Sequence, residues 1–103
     1  RPATLTHVNG SPVLRNDPAT NAMVREVATA LFGAEQVGEV KPFMGSEDFA
    51  FILEQHPHGS YFTIGAGDEP DRCMVHNPGY DFNDALLLTG AALWCGLTER
   101  YLR

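Results

Sequence analysis

Residues 75–84, Val-His-Asn-Pro-Gly-Tyr-Asp-Phe-Asn-Asp, decide how the chain is organised, because they place a histidine on a stiff turn just before the longest apolar segment. Pro78 fixes its own φ and pushes the residue before it towards an extended conformation, while Gly79 allows backbone angles that other residues resist. The pattern therefore predicts that His76 is held in place rather than left loose.

A helix is predicted to follow this turn, from Ala85 to Leu102. Asp81 and Asp84 lie just before it, where a carboxylate can accept unpaired backbone N–H groups and suits the positive end of the helix dipole. Leucine, alanine and tryptophan occupy nearly its whole circumference, which is typical of a helix buried in a larger body.

Two helices and three strands are predicted upstream of the turn. Asp17 suits an N-cap and Pro18 the first helical position, and apolar residues three and four apart continue this helix to Gly33. A second helix is predicted from about Glu47 to Gln55, with Ser46 as its N-cap. Strands are predicted over 3–8, 37–40 and 60–64. The alternation of strands and helices predicts an α/β layer arrangement with right-handed crossovers.

The bulk composition excludes several classes of protein. The 103 residues are 44% apolar and carry a formal net charge of −6, with lysine and arginine scattered singly. No basic stripe is present to hold a phosphate backbone, so nucleic acid is not an expected partner. No segment is long and apolar enough to span a bilayer, and no signal peptide opens the chain. Cys73 and Cys95 are interpreted as reduced, small buried hydrophobes in a cytoplasmic protein.

His76 is the one histidine whose neighbours favour a fixed position. A neutral imidazole on a rigid loop is a good ligand for zinc, manganese or cobalt, but a metal site needs three or more ligands. The remaining histidines are better explained as exposed surface residues; they are His7, His56 and His58.

Gly45 and Ser46 allow two interpretations. They can be the start of a well-capped amphipathic helix, or Gly45 can bring the backbone close to a ligand while Ser46 and the helix-start N–H groups form an anion site. The residues alone leave both open.

Three segments together resemble the C-terminal part of the metal-dependent amidohydrolases that include hippurate hydrolase, N-acyl-amino-acid amidohydrolase and the auxin-conjugate hydrolases, within the zinc-peptidase-like superfamily. They are Pro12–Pro18, Met44–Ala50 and Val75–Asp84, and they occur in the order of the family. The chain also begins with Arg1 and enters a strand-like pattern at once, as if cut from something longer.

The resemblance implies the C-terminal half of a zinc-peptidase-like catalytic domain, a sheet with packed helices. Residues 1–16 would be the end of an inserted lid domain and the return crossing, and residues 17–103 the C-terminal part of the catalytic domain. In such enzymes the lid often serves dimerisation, so the parent protein is expected to be a homo-oligomer.

The resemblance also implies roles for three residues. His76 matches the last ligand of a two-metal site that uses zinc, manganese, cobalt or nickel, and Gly45 and Ser46 match residues that help to seat the substrate. The other ligands and the general base would precede Arg1, so the chain would contain no catalytic residue and be inactive alone. The implied reaction is hydrolysis of an N-acyl amino acid by metal-activated water.

Two positions depart from the family pattern, and one other function stays open. His58 separates Pro57 from Gly59 where the family usually has Pro-Gly, and Arg15 stands where a small or hydrophobic residue is more usual. The alternative is a non-enzymatic binding or interaction module that shares this piece of the fold.

Overall fold

The computed structural model describes residues 1–8, 10–67 and 69–103. Within them the chain forms three α-helices and one short 3₁₀ turn at Ala34–Gln36. The helices are α1 (Pro18–Phe32), α2 (Phe49–Gln55) and α3 (Leu86–Tyr101). The three predicted helices are thus confirmed, with differences at the starts of α2 and α3.

The bounds of α1 agree with the sequence prediction. The Asp17 carboxylate accepts hydrogen bonds from the backbone N–H of Thr20, at 2.8 Å, and from its hydroxyl, at 2.8 Å. These bonds to the charged form lower the pKa of Asp17. Pro18 occupies the first turn, where a missing N–H costs nothing. The helix stops at Gly33, whose φ of 92° and N–H bond to the Thr29 carbonyl close its last turn.

The main core lies where α1 packs against α3. Its buried members are Val24, Leu93 and Leu97. The helices approach closely at Gly96, where a Cβ atom would lie 3.0 Å from Cγ1 of Val27. Partly buried side chains complete this core; they are Met23, Val27, Ala28, Phe32 and Phe62.

Away from the contact with α1, much of the surface of α3 is apolar and exposed, although the Trp94 ring packs against Phe62 with centroids 5.7 Å apart. Leu87, Leu88 and Trp94 are 71%, 82% and 62% exposed. The radius of gyration is 17.7 Å, against about 13 Å for a compact domain of this length. The prediction that α3 is buried nearly all round is therefore not met by the contacts within the described chain.

The predicted sheet is absent from the described residues. The segments 3–8, 37–40 and 60–64 form no strand. A strand needs backbone partners on a neighbouring strand, and alternation along one segment cannot supply them. At Tyr61 the Asn16 side chain takes the place of a neighbouring strand. The Asn16 amide N–H donates to the Tyr61 carbonyl at 2.8 Å, and the Asn16 side-chain carbonyl accepts from the Tyr61 backbone N–H at 2.8 Å.

The start of α3 is capped by a different residue from those predicted. The helix begins at Leu86, and the Asn83 side-chain carbonyl accepts from the Ala85 N–H at 3.1 Å. Neither Asp81 nor Asp84 makes a side-chain cap bond to this helix in the described structure. The amide of Asn83 also donates to the Ala66 carbonyl at 3.0 Å, so one side chain holds both the helix start and an upstream loop.

Both cysteines are free, as predicted. Cys73 is partly buried, but Cys95 is exposed, so the interpretation of Cys95 as a buried hydrophobe is wrong for this structure. The reason is that Cys95 lies off the narrow face that α3 presents to α1. In the described ranges, no helix combines the length and the apolar character needed to cross a membrane.

Candidate functional site

His76 sits at the second inner position of a tight turn. The Asn77 N–H donates to the Met74 carbonyl at 3.3 Å, which closes the turn over residues 74–77. His76 has a φ of 67°, in the left-handed region that residues other than glycine seldom adopt. This position requires a positive φ in type II turns. The sequence assigned the unusual backbone angle to Gly79, whereas the structure assigns it to the histidine itself.

A second turn follows directly and fixes the first. The Tyr80 N–H donates to the Asn77 carbonyl at 2.9 Å. Pro78 and Gly79 are its inner residues, and the Gly79 N–H donates to the Asn77 side-chain carbonyl at 2.8 Å. A proline suits the first inner position because its φ is already set. The prediction that this stretch is a stiff turn is confirmed.

Polar contacts attach the double turn to the preceding acidic loop. The Arg72 guanidinium forms an ion pair with Glu69 and donates to the Asp81 carbonyl at 3.4 Å. An open depression lies beside it, lined by Glu69, Asp71, Arg72, Cys73, Gly79 and Asp81. Arg72 neutralises one of the three carboxylates that line the depression, because it is paired with Glu69.

The imidazole of His76 is exposed at this turn. Among the described residues, no three His, Cys, Asp or Glu side chains lie close enough together to hold a metal ion. One imidazole supplies one coordination position, and a metal ion in a protein requires at least three such ligands. The described residues alone therefore do not form a metal centre, and His76 suits one ligand of a larger set.

The segment that contains Gly45 and Ser46 is also exposed, with Phe43 and Met44 projecting from it. The helix begins at Phe49 rather than Glu47, so the prediction of Ser46 as its N-cap is wrong. A side chain one position further along replaces it, since the Glu47 carboxylate accepts from the Phe49 N–H at 3.2 Å.

The anion site considered at the start of α2 is not supported by this geometry. The first three amides of the helix already have partners within the chain. The Phe49 N–H donates to the Glu47 carboxylate, and those of Ala50 and Phe51 donate to the carbonyls of Glu47 and Asp48, at 3.1 and 3.0 Å. With these donors occupied, a role of Gly45 and Ser46 in binding would have to use their own atoms.

A contact between Glu47 and Tyr61 was not predicted from the sequence. The Tyr61 hydroxyl donates to the second oxygen of the Glu47 carboxylate at 3.1 Å. This bond to the neutral phenol, together with the nearby negative charge, raises the pKa of Tyr61. The partners are fourteen residues apart, with α2 and a loop between them, so no local spacing could reveal the pair.

The other histidines agree with the interpretation as surface residues. His7, His56 and His58 are all exposed. His58 lies with its Nδ1 atom 4.0 Å from the Asp17 carboxylate, a separation at the outer limit of an ion pair. Among the described residues, no hydrogen bond joins the segment of Gly45 and Ser46 to the double turn of His76.

Comparison with known proteins adds a family match. Residues 2–100 match the model of the family described as peptidase family M20/M25/M40. The match covers all three segments singled out above. The comparison with solved structures found no match.

Three characterised or named proteins illustrate the similarity. YhaA of Bacillus subtilis, named as an amidohydrolase, is 33% identical over 97 residues, which are 93% of this chain and 24% of YhaA. IAA-amino acid hydrolase ILR1-like 4 of Arabidopsis thaliana is 33% identical over 93 residues, 88% of this chain and 21% of that protein. Hippurate hydrolase of Campylobacter jejuni is 33% identical over 94 residues, 90% of this chain and 24% of that enzyme. The chain therefore spans between a fifth and a quarter of these relatives.

Proposed function

Because this chain belongs to peptidase family M20/M25/M40, we propose that it is part of a metal-dependent amidohydrolase that cleaves the amide bond of N-acyl amino acids. The observation that carries the proposal is the double turn of residues 74–80, which presents His76 outward in a left-handed conformation. Strained backbone of this kind persists where the surrounding structure determines it and is concentrated at functional sites.

The substrate class follows from the names of two relatives. One is named for hippurate and the other for conjugates of IAA with amino acids. Hippurate is an acylated glycine, so both names describe an acyl group joined to an amino acid through an amide. We extend that class to the protein to which this chain belongs.

His76 has one role in this proposal. It would hold a divalent metal ion through the lone pair of one ring nitrogen, and the two turns would keep the ring outward for that purpose. Such an ion, once bound, activates water and polarises the amide carbonyl. Zinc, manganese, cobalt and nickel are all compatible with an imidazole ligand. The other ligands and the general base are proposed to belong to parts of the protein beyond these 103 residues.

Gly45 and Ser46 are proposed to seat the substrate. Their segment is exposed and, unlike the first amides of α2, has no hydrogen-bond partner among the described residues. A glycine lets a substrate approach the backbone, and a serine hydroxyl can both donate and accept. The homo-oligomer through a lid domain, the division at residue 16 and the cytoplasmic location stay predictions.

The test is hydrolysis of benzoylglycine and acetyl-amino acids by the protein encoded by the full reading frame. We expect cleavage that a chelator abolishes and that added zinc or manganese restores. His76→Ala should lower the bound metal content and reduce kcat by at least about a hundredfold, since catalysis through a metal ion depends on its full ligand set. Circular dichroism should be unchanged, because the side chain is exposed.

His56→Ala is the matched control, because His56 is also an exposed loop histidine. It should leave both metal content and activity unchanged. Full activity in His76→Ala would contradict the ligand role. A parent protein that cleaves no acyl amino acid, and whose stability is indifferent to metal and chelator, would instead favour the non-enzymatic binding module.

A further inference from the structure

We propose that Glu47 and Tyr61 are positioning residues, which hold the segment 43–46 in the conformation that seats the substrate. This inference rests on the proposed function, because it assigns the two residues an effect on substrate binding through Gly45 and Ser46. Neither residue is proposed to touch the substrate or to take part in the chemical step.

Glu47 is fixed at both carboxylate oxygens. One oxygen accepts from the Phe49 N–H at 3.2 Å, and the other accepts from the Tyr61 hydroxyl at 3.1 Å. Hydrogen bonds to a charged acceptor are among the stronger ones in proteins. Glu47 directly follows Ser46, so fixing its side chain fixes the end of the segment 43–46.

Tyr61 is itself firmly anchored. Its backbone N–H and carbonyl both bond to the Asn16 side-chain amide, each at 2.8 Å. Its ring packs against that of Phe49, with centroids 5.8 Å apart. Asn16 directly precedes the cap residue of α1. A continuous series of contacts thus runs from the start of α1 through Tyr61 to Glu47.

The segment 43–46 has little else to hold it. All four residues are exposed, and Met44 is fully so. At Gly45 the neighbouring side chain comes from the segment itself, since a Cβ atom there would lie 2.9 Å from the Phe43 ring. A segment with few contacts samples many conformations unless its ends are fixed.

The consequence is a specific kinetic signature. Loosening the segment 43–46 lowers the fraction of protein that is ready to bind substrate, and this raises the apparent dissociation constant by the same factor. The metal ligand on the other turn is unaffected. Loss of the Tyr61 hydroxyl should therefore raise KM and leave kcat nearly unchanged.

The experiment compares variants of the full-length enzyme. Tyr61→Phe and Glu47→Ala should each raise KM for the best acyl amino acid about fivefold, with kcat within about twofold, as expected for one partly exposed charged hydrogen bond. The double variant should be no worse than Glu47→Ala alone, because that change already removes the one bond that Tyr61→Phe removes. Glu47→Gln keeps one acceptor oxygen, and its NH₂ group can donate to the Tyr61 hydroxyl, so it should restore KM to within about twofold of the parent.

Tyr101→Phe is the control, because Tyr101 is an exposed tyrosine on α3 far along the chain. It should change neither constant. If Glu47 had a purely structural role, Glu47→Gln should raise KM as much as Glu47→Ala does, or kcat should fall in proportion to the loss of thermal stability. Either result would overturn the proposal, as would additive effects of the two single variants.

A second measurement separates this inference from the proposed function. In the full-length protein without substrate, the rate of chymotrypsin cleavage after Phe43 and Met44 reports the mobility of the segment. Tyr61→Phe and Glu47→Ala should accelerate this cleavage, while Tyr101→Phe should not. If cleavage accelerates but the parent hydrolyses nothing, the segment is positioned as argued and the assigned reaction is wrong. If cleavage is unchanged, the positioning role itself is wrong.

Discussion

Replacing Leu97 by alanine should lower the free energy of unfolding of the chain by about 2.5 to 3 kcal/mol. Leu97 is 7% exposed and lies between α1 and α3, in contact with the cluster of Val24 and Leu93. The change deletes three carbon atoms, worth about 0.8 kcal/mol each, or about 2.4 kcal/mol before any cavity is counted. Partial collapse of a small, open core keeps the total near the lower end of the range for buried leucines, about 2.5 to 3 kcal/mol.

Urea unfolding followed by circular dichroism at 222 nm measures this change. Leu88→Ala is the matched control, because it makes the same substitution on the same helix at a side chain that is 82% exposed. It should alter the free energy of unfolding by less than about 0.5 kcal/mol. Equal effects of the two variants would refute the conclusion that Leu97, and not Leu88, lies on the packed face of α3. A larger effect of Leu88→Ala would show that Leu88 lies on the packed face instead.

The same pair of variants in the full-length protein gives a further expectation. If the exposed face of α3 is covered there, Leu88→Ala should cost about 2 kcal/mol or more in that setting. The contrast between the two settings would then measure how much of the apolar surface of this chain is a contact with the rest of the protein. A negligible cost in both settings would show that this face stays exposed.

Two further changes test the ends of α1. The Asp17 carboxylate has a lowered pKa because it accepts from Thr20, so its stabilising effect is complete above the ordinary pKa of a carboxyl group and is lost as the pH falls through the lowered value. Asp17→Ala should lower the melting temperature at neutral pH and flatten its acid dependence, and an unchanged acid dependence would contradict the cap. Gly33→Ala should cost about 1 to 3 kcal/mol by thermal unfolding, because φ is 92° and ψ is 152°, a conformation essentially restricted to glycine, and the new methyl group would meet the Glu35 carboxylate. Gly38→Ala, which enters open space, should be neutral, and equal losses at both glycines would refute the strain argument.

The helices were predictable because their signals are local. Asp17, Pro18 and Gly33 lie within one turn of the ends of α1, and each acts on backbone groups a few residues away. The stiff turn before α3 was predictable for the same reason. Prediction of helix starts failed where another nearby side chain competed, as when Glu47 rather than Ser46 bonded to the first amide of α2.

The strands could not be predicted from local sequence signals. The alternation at 60–64 describes a segment that suits a sheet, but the described chain offers it no neighbouring strand and instead pairs Tyr61 with the Asn16 side chain. Pairing is a property of two segments distant in sequence. The family match is compatible with a sheet in a longer protein, and it is the longer protein in which the sheet prediction has to be tested.

The sequence by itself determined the helices, the stiff turn that holds His76 and the resemblance to a hydrolase family, because these depend on short-range backbone chemistry and on motifs that can be read in order. Only the tertiary structure decided that His76 carries the left-handed backbone angle, that one face of α3 is packed while the other is bare, and that Asn16, Tyr61 and Glu47 form one connected series. These features join residues up to 45 positions apart, and such contacts arise from how the folded segments meet in space.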